Sequence, residues 1–148
     1  MSDTLGFLIG DVARLMRRRF DERARRLGVT RPQWATLTKL ARVEGINQGG
    51  LADLMEVEPI TLARMIDRLE DSGMVERRHD PRDRRAWRIF LTDKARPVIE
   101  QLRGLADGLF ADALVGLDDA ERAALTDALT RIHANLNDIP ESTEARHG

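Results

Sequence analysis

There is no cysteine anywhere in this 148-residue chain. That excludes a disulfide framework and a thiol-based redox sensor, and it removes the commonest zinc ligand. The three histidines, His79, His133 and His147, are widely separated, and no pair has ligand spacing, so no metal or other cofactor is expected. A glycine-rich phosphate loop and a nucleophile elbow are both missing, as is a paired Asp/Glu–His arrangement, so the chain does not read as an enzyme. No apolar run approaches the roughly 18 residues of a membrane span. The Met1-Ser2-Asp3-Thr4-Leu5 start lacks a charged-then-apolar leader pattern. The expected location is therefore cytoplasmic, with no membrane partner. Length suits about one domain.

Nor is there a large excess of charge of one sign, since the formal net charge is -1. The distribution, however, is uneven. Residues 14–31 hold eight arginines against Asp21 and Glu22, a local balance of +6. Residues 76–88 hold six arginines against Glu76, Asp80 and Asp83, a balance of +3. Residues 107–148 carry a balance of -6. Screening cuts off charges beyond about 8 Å at physiological salt, so local potential decides what binds.

The most informative segment spans residues 77–92. The turn signal Asp80-Pro81-Arg82-Asp83 separates two strand-like runs at about 75–79 and 85–91. Arg77, Arg78, Arg82, Arg84, Arg85 and Arg88 crowd onto that hairpin. Guanidinium groups on an exposed hairpin suit phosphates or a nucleic-acid groove. Immediately before it, Glu58 to Ser72 reads as a helix that Pro59 opens and Gly73 closes. Helix followed by basic hairpin is the layout of a winged helix-turn-helix. On that helix Leu62, Ile66 and Leu69 share one face, and Ile60, Thr61, Arg64 and Arg68 share the other. A helix lying in a major groove needs small or polar residues near its start and a long donor one turn later. Thr61 can meet a phosphate or a thymine methyl group, and Arg64 can reach the paired acceptors of guanine.

The remaining elements are helical. Leu5, Leu8, Ile9, Val12, Leu15, Met16, Phe20, Ala24 and Leu27 repeat at three and four, predicting a helix over 5–27 with Gly28 as its stop. Thr30-Arg31-Pro32-Gln33 is a capping box that opens a helix to about Arg42, with Trp34, Leu37, Leu40 and Ala41 inward. Asn47 can cap a third, short helix carrying Leu51, Leu54 and Met55. Thr92 is expected to cap a long helix to about Gly116, with Val98, Ile99, Leu102, Leu105, Leu109, Phe110, Ala113 and Leu114 inward. Pro97 lies too deep for an undistorted first turn there, which predicts a kink or a shifted start. Asp118-Asp119-Ala120-Glu121 caps a last helix whose stripe is Leu125, Leu129, Ile132 and Leu136. After Pro140 the chain is polar and reads as a disordered tail.

The expected fold is mainly α (α+β). Residues 29–92 form a winged helix-turn-helix lobe. Residues 1–28 with 93–148 form a helical dimerisation lobe, whose surplus apolar surface suits a two-fold homodimer.

Five runs, Leu51–Val57, Thr61–Glu70 (with Ile66-Asp67-Arg68-Leu69-Glu70), Gly73–Arg77, Asp80–Ala86 and Leu91–Ala95, together resemble the MarR family of bacterial transcription regulators, with the SlyA-like branch closest. The similarity reaches Leu5-Gly6, Arg14, Arg17 and Trp34, and so covers roughly residues 5–105. Gly49-Gly50 and Lys94-Ala95-Arg96 depart from the family's usual residues. The resemblance implies a homodimeric repressor that binds an inverted-repeat operator in double-stranded DNA. It implies recognition contacts from Ile60, Thr61 and Arg64 beside Arg68. It also implies a wing motif of Asp83, Arg84 and Arg85, beside Arg82 of the basic turn, with Arg85 in the minor groove and Asp83 fixing arginine geometry at the wing base. A small aromatic acid effector is implied near Arg14, Arg17, Trp34 and Thr38. The alternative from a different class is a winged-helix adaptor that docks a protein and not DNA. Steep salt dependence distinguishes the two.

Overall fold

The structure, a computed structural model, describes residues 2–140, with side chains from Thr4 onward. The polar tail after Pro140, including His147, lies outside the described residues. Six helices and two strands follow one another. They are α1 (Ser2–Arg25), α2 (Arg31–Arg42), α3 (Gln48–Met55), α4 (Pro59–Asp71), β1 (Val75–His79), β2 (Trp87–Leu91), α5 (Ala95–Ala113) and α6 (Asp119–Asp138). The chain divides into two compact units, one ending at Leu109 and the other starting at Phe110.

Local chemistry explains most boundaries in the first unit. The Gly28 and Val29 amides close the α1 terminus on the Arg25 and Ala24 carbonyls, and Gly28 sits at φ 75°, a position that favours glycine. At α2 the capping box is complete: Gln33 N–H donates to Thr30, and the Gln33 side chain accepts from the Thr30 amide. Asn47 accepts from the Gly50 amide at 2.6 Å to start α3. Pro59 occupies the opening turn of α4, and Gly73, at φ 78°, follows its end. The long helix begins at Ala95, later than Thr92, so Pro97 falls in the first turn, where its missing N–H leaves no intrahelical bond unmade. At Thr92 the Ala95 amide meets the backbone carbonyl, and the hydroxyl donates to the Gly73 carbonyl.

Antiparallel β1 and β2 pair in the register Val75↔Leu91, Arg77↔Ile89 and His79↔Trp87. A short bridge, Asn47↔Arg88, adds the residues before α3 to β2. Strand β2 starts at Trp87 and not at 85, because the Asp83 carboxylate takes the Arg85 amide into the turn. One core joins Leu37, Leu40, Leu51, Leu62, Ile66, Leu69, Val75, Ile89 and Leu91 with Ala95 and Ile99 of α5. A second joins Phe20 and Ala24 of α1 to Leu102 and Leu109, with Trp34 packed against it.

Some inward assignments change. Leu54 is exposed, and Ala52 takes the buried place beside Leu51 in α3. Phe110 and Ala113 of α5 face solvent. Leu5, Leu8, Ile9, Val12 and Leu15 of α1, which carried no inward assignment, are exposed as well. In the second unit α6 opens on a complete Asp118/Glu121 capping box and buries no residue. Among the described residues, no helix is long and apolar enough to cross a membrane.

Candidate nucleic-acid interface

Helix α4 is anchored by its inner face. Leu62, Ile66 and Leu69 are buried, which turns Ile60, Thr61, Arg64 and Arg68 outward as the helical period requires. Ile60 is 62% exposed, a large cost for an isoleucine with nothing over it. The guanidinium groups of Arg64 and Arg68 make no hydrogen bond or ion pair among the described residues.

The hairpin tip is built by two aspartates. Asp80 accepts the Arg82 amide at 2.9 Å, and Asp83 accepts the Arg85 amide at 3.0 Å. Each is a side-chain mimic of a backbone turn. The Asp80 and Ala86 amides close the loop on the Ala86 and Asp83 carbonyls. Asp83 therefore shapes the tip through backbone bonds. The carboxylate that holds an arginine side chain is Asp80, 3.0 Å from Arg88 Nε. The Arg82 amide, and then the Arg88 guanidinium, keep the Asp80 carboxyl below the usual carboxylate range. His79 stacks on Trp87 at 3.9 Å between centroids, with Nδ1 3.0 Å from the Arg84 carbonyl.

The six hairpin arginines thus separate into two sets. Arg82, Arg84 and Arg85 are exposed at the tip, and their guanidinium groups have no partner among the described residues. Arg88 is tied to Asp80, Arg78 pairs with Glu76 and lies 4.1 Å above the Phe90 ring, and Arg77 is bound to α3 and α4. Counting basic residues in the sequence missed this division. The one visible hint was the acidic pair Asp67 and Glu70 on α4, three residues apart and so on one helix face.

A cavity of about 290 Å³ lies in the first unit, lined by Phe20, Trp34, Thr38, Ala41, Arg42, Ile99, Leu102, Arg103 and Ala106. It brings Trp34 and Thr38 together as the sequence suggested. Arg14 and Arg17 do not line it. Both are exposed on α1, and Arg14 lies 3.6 Å from Asp11. The arginines that line the cavity are Arg42 and Arg103, which carried no sequence signal; Arg103 is also paired with Glu100 at 2.7 Å. Trp34 is held in place by its Nε1–H bond to Asp21 at 2.7 Å and by edge-on packing against Phe20 at 4.6 Å. Asp21 also accepts from Arg31, which holds its carboxyl below the usual range; burial acts in the opposite sense and the Trp34 N–H in the same sense. Among the described residues no group of three or more His, Asp or Glu side chains is placed to hold a metal ion.

Against this geometry, the family model described as MarR family matches residues 29–87, which span α2 to the start of β2. A MarR transcriptional regulator from Methanosarcina mazei Go1 is similar over 93% of this chain and 99% of its own, with 29% identity and a TM-score of 0.83. The transcriptional regulator PA3341 is 38% identical over 91% of this chain and 99% of its own, with a TM-score of 0.79. A mutant MarR from E. coli, solved in complex with operator DNA, is 29% identical over 87% of this chain and 93% of its own, with a TM-score of 0.74.

Proposed function

The chain belongs to the MarR family of transcriptional regulators, and from that premise we propose that it is a homodimeric repressor that reads an inverted-repeat operator. One observation carries the DNA-binding reading. The guanidinium groups of five arginines on the outer face of α4 and at the hairpin tip (Arg64, Arg68, Arg82, Arg84 and Arg85) have no partner among the described residues. Arginine heads left solvated beside ones fully used in folding are suited to phosphates and base edges. In this reading α4 enters the major groove with Ile60, Thr61 and Arg64, and the tip places Arg85 in the adjacent minor groove, where groove width is read as energy. The relative solved with operator DNA supports DNA as the partner. We assign the chain to the SlyA-like branch on the resemblance carried jointly by the five runs between Leu51 and Ala95.

Residues 29–92 act as the DNA-binding lobe, and residues 1–28 with 93–148 as the dimerisation lobe. The exposed stripes of α1 and α6 supply the apolar surface that a two-fold partner would cover. Two copies then present their α4 helices to half-sites whose centres lie about 10 bp apart or a multiple of it. Selection from random DNA with the purified protein tests DNA binding and repeat geometry together. Recovery of no enriched inverted repeat at low salt removes this function. Binding to a protein partner with little salt dependence would favour an adaptor.

An effector fits the same reading. The cavity pairs an indole wall with Arg42 and Arg103, chemistry suited to a small aromatic carboxylate. Such an acid would relieve DNA binding by favouring a dimer with mismatched half-site spacing. Trp34 emission in a Trp87→Phe background, titrated with salicylate-like acids alongside operator binding, decides this. A panel that moves neither signal eliminates the effector.

A further inference from the structure

Arg77 belongs by sequence to the basic hairpin, yet its side chain is only 14% exposed and each of its three nitrogens is engaged within the chain. Its Nε donates to Gln48 Oε1 at 2.9 Å, on α3. One terminal nitrogen donates to Asp67 Oδ1 at 2.6 Å and to Glu70 Oε1 at 3.4 Å; the other donates to the Ala63 carbonyl at 3.0 Å. The backbone N–H of Arg77 donates to the second Glu70 oxygen at 3.1 Å. Acceptors from two helices therefore converge on one guanidinium of β1. A planar fork with five donors can serve them together, whereas an ammonium group cannot.

The placement of this group matters more than its charge. Strand β1 leads directly into the turn that carries Arg82, Arg84 and Arg85, and Asp67 and Glu70 ride on the helix that carries Thr61 and Arg64. We infer that Arg77 is a positioning residue for operator reading: it does not touch the duplex, and with Asp67 and Glu70 it sets the hairpin tip against the outer face of α4. This rests on the DNA-binding reading above. It has a consequence that electrostatics alone reverses. Asp67 is an acid on the DNA-reading helix, so removing its charge should strengthen binding to a polyanion if charge were its only effect. If Asp67 anchors the fork, removing the charge weakens binding.

The test uses full-length wild type, Arg77→Lys and Asp67→Asn with the selected operator and with a copy whose A·T-rich flanks are exchanged for G·C. Arg77→Lys keeps its formal charge, yet operator binding should fall about tenfold, the equivalent of one lost charge-assisted bond. Flank discrimination should disappear while base preference at the positions read by α4 persists. Asp67→Asn, altered at a side chain 60% exposed and so expected to fold, should bind roughly threefold more weakly, a modest share of one such bond. In the DNA-free variants, amide exchange should quicken across residues 75–91. Unchanged affinity and flank discrimination in Arg77→Lys, or tighter binding by Asp67→Asn, overturns the inference. A wild type that binds no DNA removes the underlying reading instead. In that case unchanged exchange in Arg77→Lys would separately show that the joint is not held by this fork.

Discussion

Helices α4 and α6 carry the same kind of apolar repeat and meet opposite fates. In α4, Leu62, Ile66 and Leu69 are at most 1% exposed. In α6, Leu125, Leu129, Ile132 and Leu136 are between 37% and 63% exposed. The inner face of α4 is covered within its own unit, in one core with residues of α2, α3 and the hairpin. Among the described residues, the stripe of α6 holds no buried side chain. Helix α1 shows both states along one length: Phe20 and Ala24 are buried near its C-terminus, while Leu5, Leu8 and Val12 stay exposed near its N-terminus. A repeat at three and four therefore states that a face will be covered, and leaves open whether the cover comes from the same molecule. The buried repeat sustains the face that we propose reads DNA, and the open one is where we place the second subunit.

The sharpest way to break this contrast is to hollow out the covered face. Ile66→Ala should lower unfolding free energy by roughly 2–5 kcal/mol in denaturant titration, because it removes a fully buried side chain from a closed core. Leu129→Asp on α6 should instead shift sedimentation from dimer to monomer, with a cost of about 2 kcal/mol or more if this side chain is buried at the interface. A wild type that sediments as a monomer would show that no second copy covers the stripe. On the outer face of α4, Arg64→Ala should weaken operator binding by roughly 1–3 kcal/mol and relax preference at one position per half-site. Its denaturation midpoint should stay in place, since that guanidinium makes no bond among the described residues. Arg85→Ala should cost less, with a preference change confined to A·T-rich flanks; uniform loss across all flanks would make it a phosphate contact.

The smallest expected effect is at Asp21, which joins α1 to α2 through Arg31 and Trp34. Its folded-state pKa lies below its ordinary value. The stability it contributes is therefore present above the ordinary carboxylate value of about 3.9 and is lost as pH falls through the lowered one. Asp21→Asn should flatten that part of the acid-unfolding curve. An unchanged curve would mean that the contact adds nothing to folding.

The elements most legible in the sequence depend on neighbours a few residues apart. The Thr30/Gln33 and Asp118/Glu121 boxes, the Asn47 cap and the Asp80–Asp83 turn are all closed by bonds spanning two or three residues. The outward set Ile60, Thr61, Arg64 and Arg68 follows from helical period once the inner face is known. Less legible were sites that depend on which segments meet. Arg42 and Arg103 lie 61 positions apart and had no shared pattern, yet they line one cavity with Trp34. Leu54 sat at an inward spacing in a helix of 8 residues, too short for its period to fix a face, and Ala52 fills the core there.

Composition, caps and periodicity by themselves determined the helices, the hairpin and the basic character of its tip, because the forces involved act within a turn or two of chain. Tertiary structure alone decided which arginines remain available. Arg77 finds Asp67 at a separation of 10 residues and Gln48 at 29, and a guanidinium with acceptors inside the fold has little left for a ligand outside it. Charge is written in the sequence, whereas its neutralisation depends on distances of about 3 Å that only folding creates.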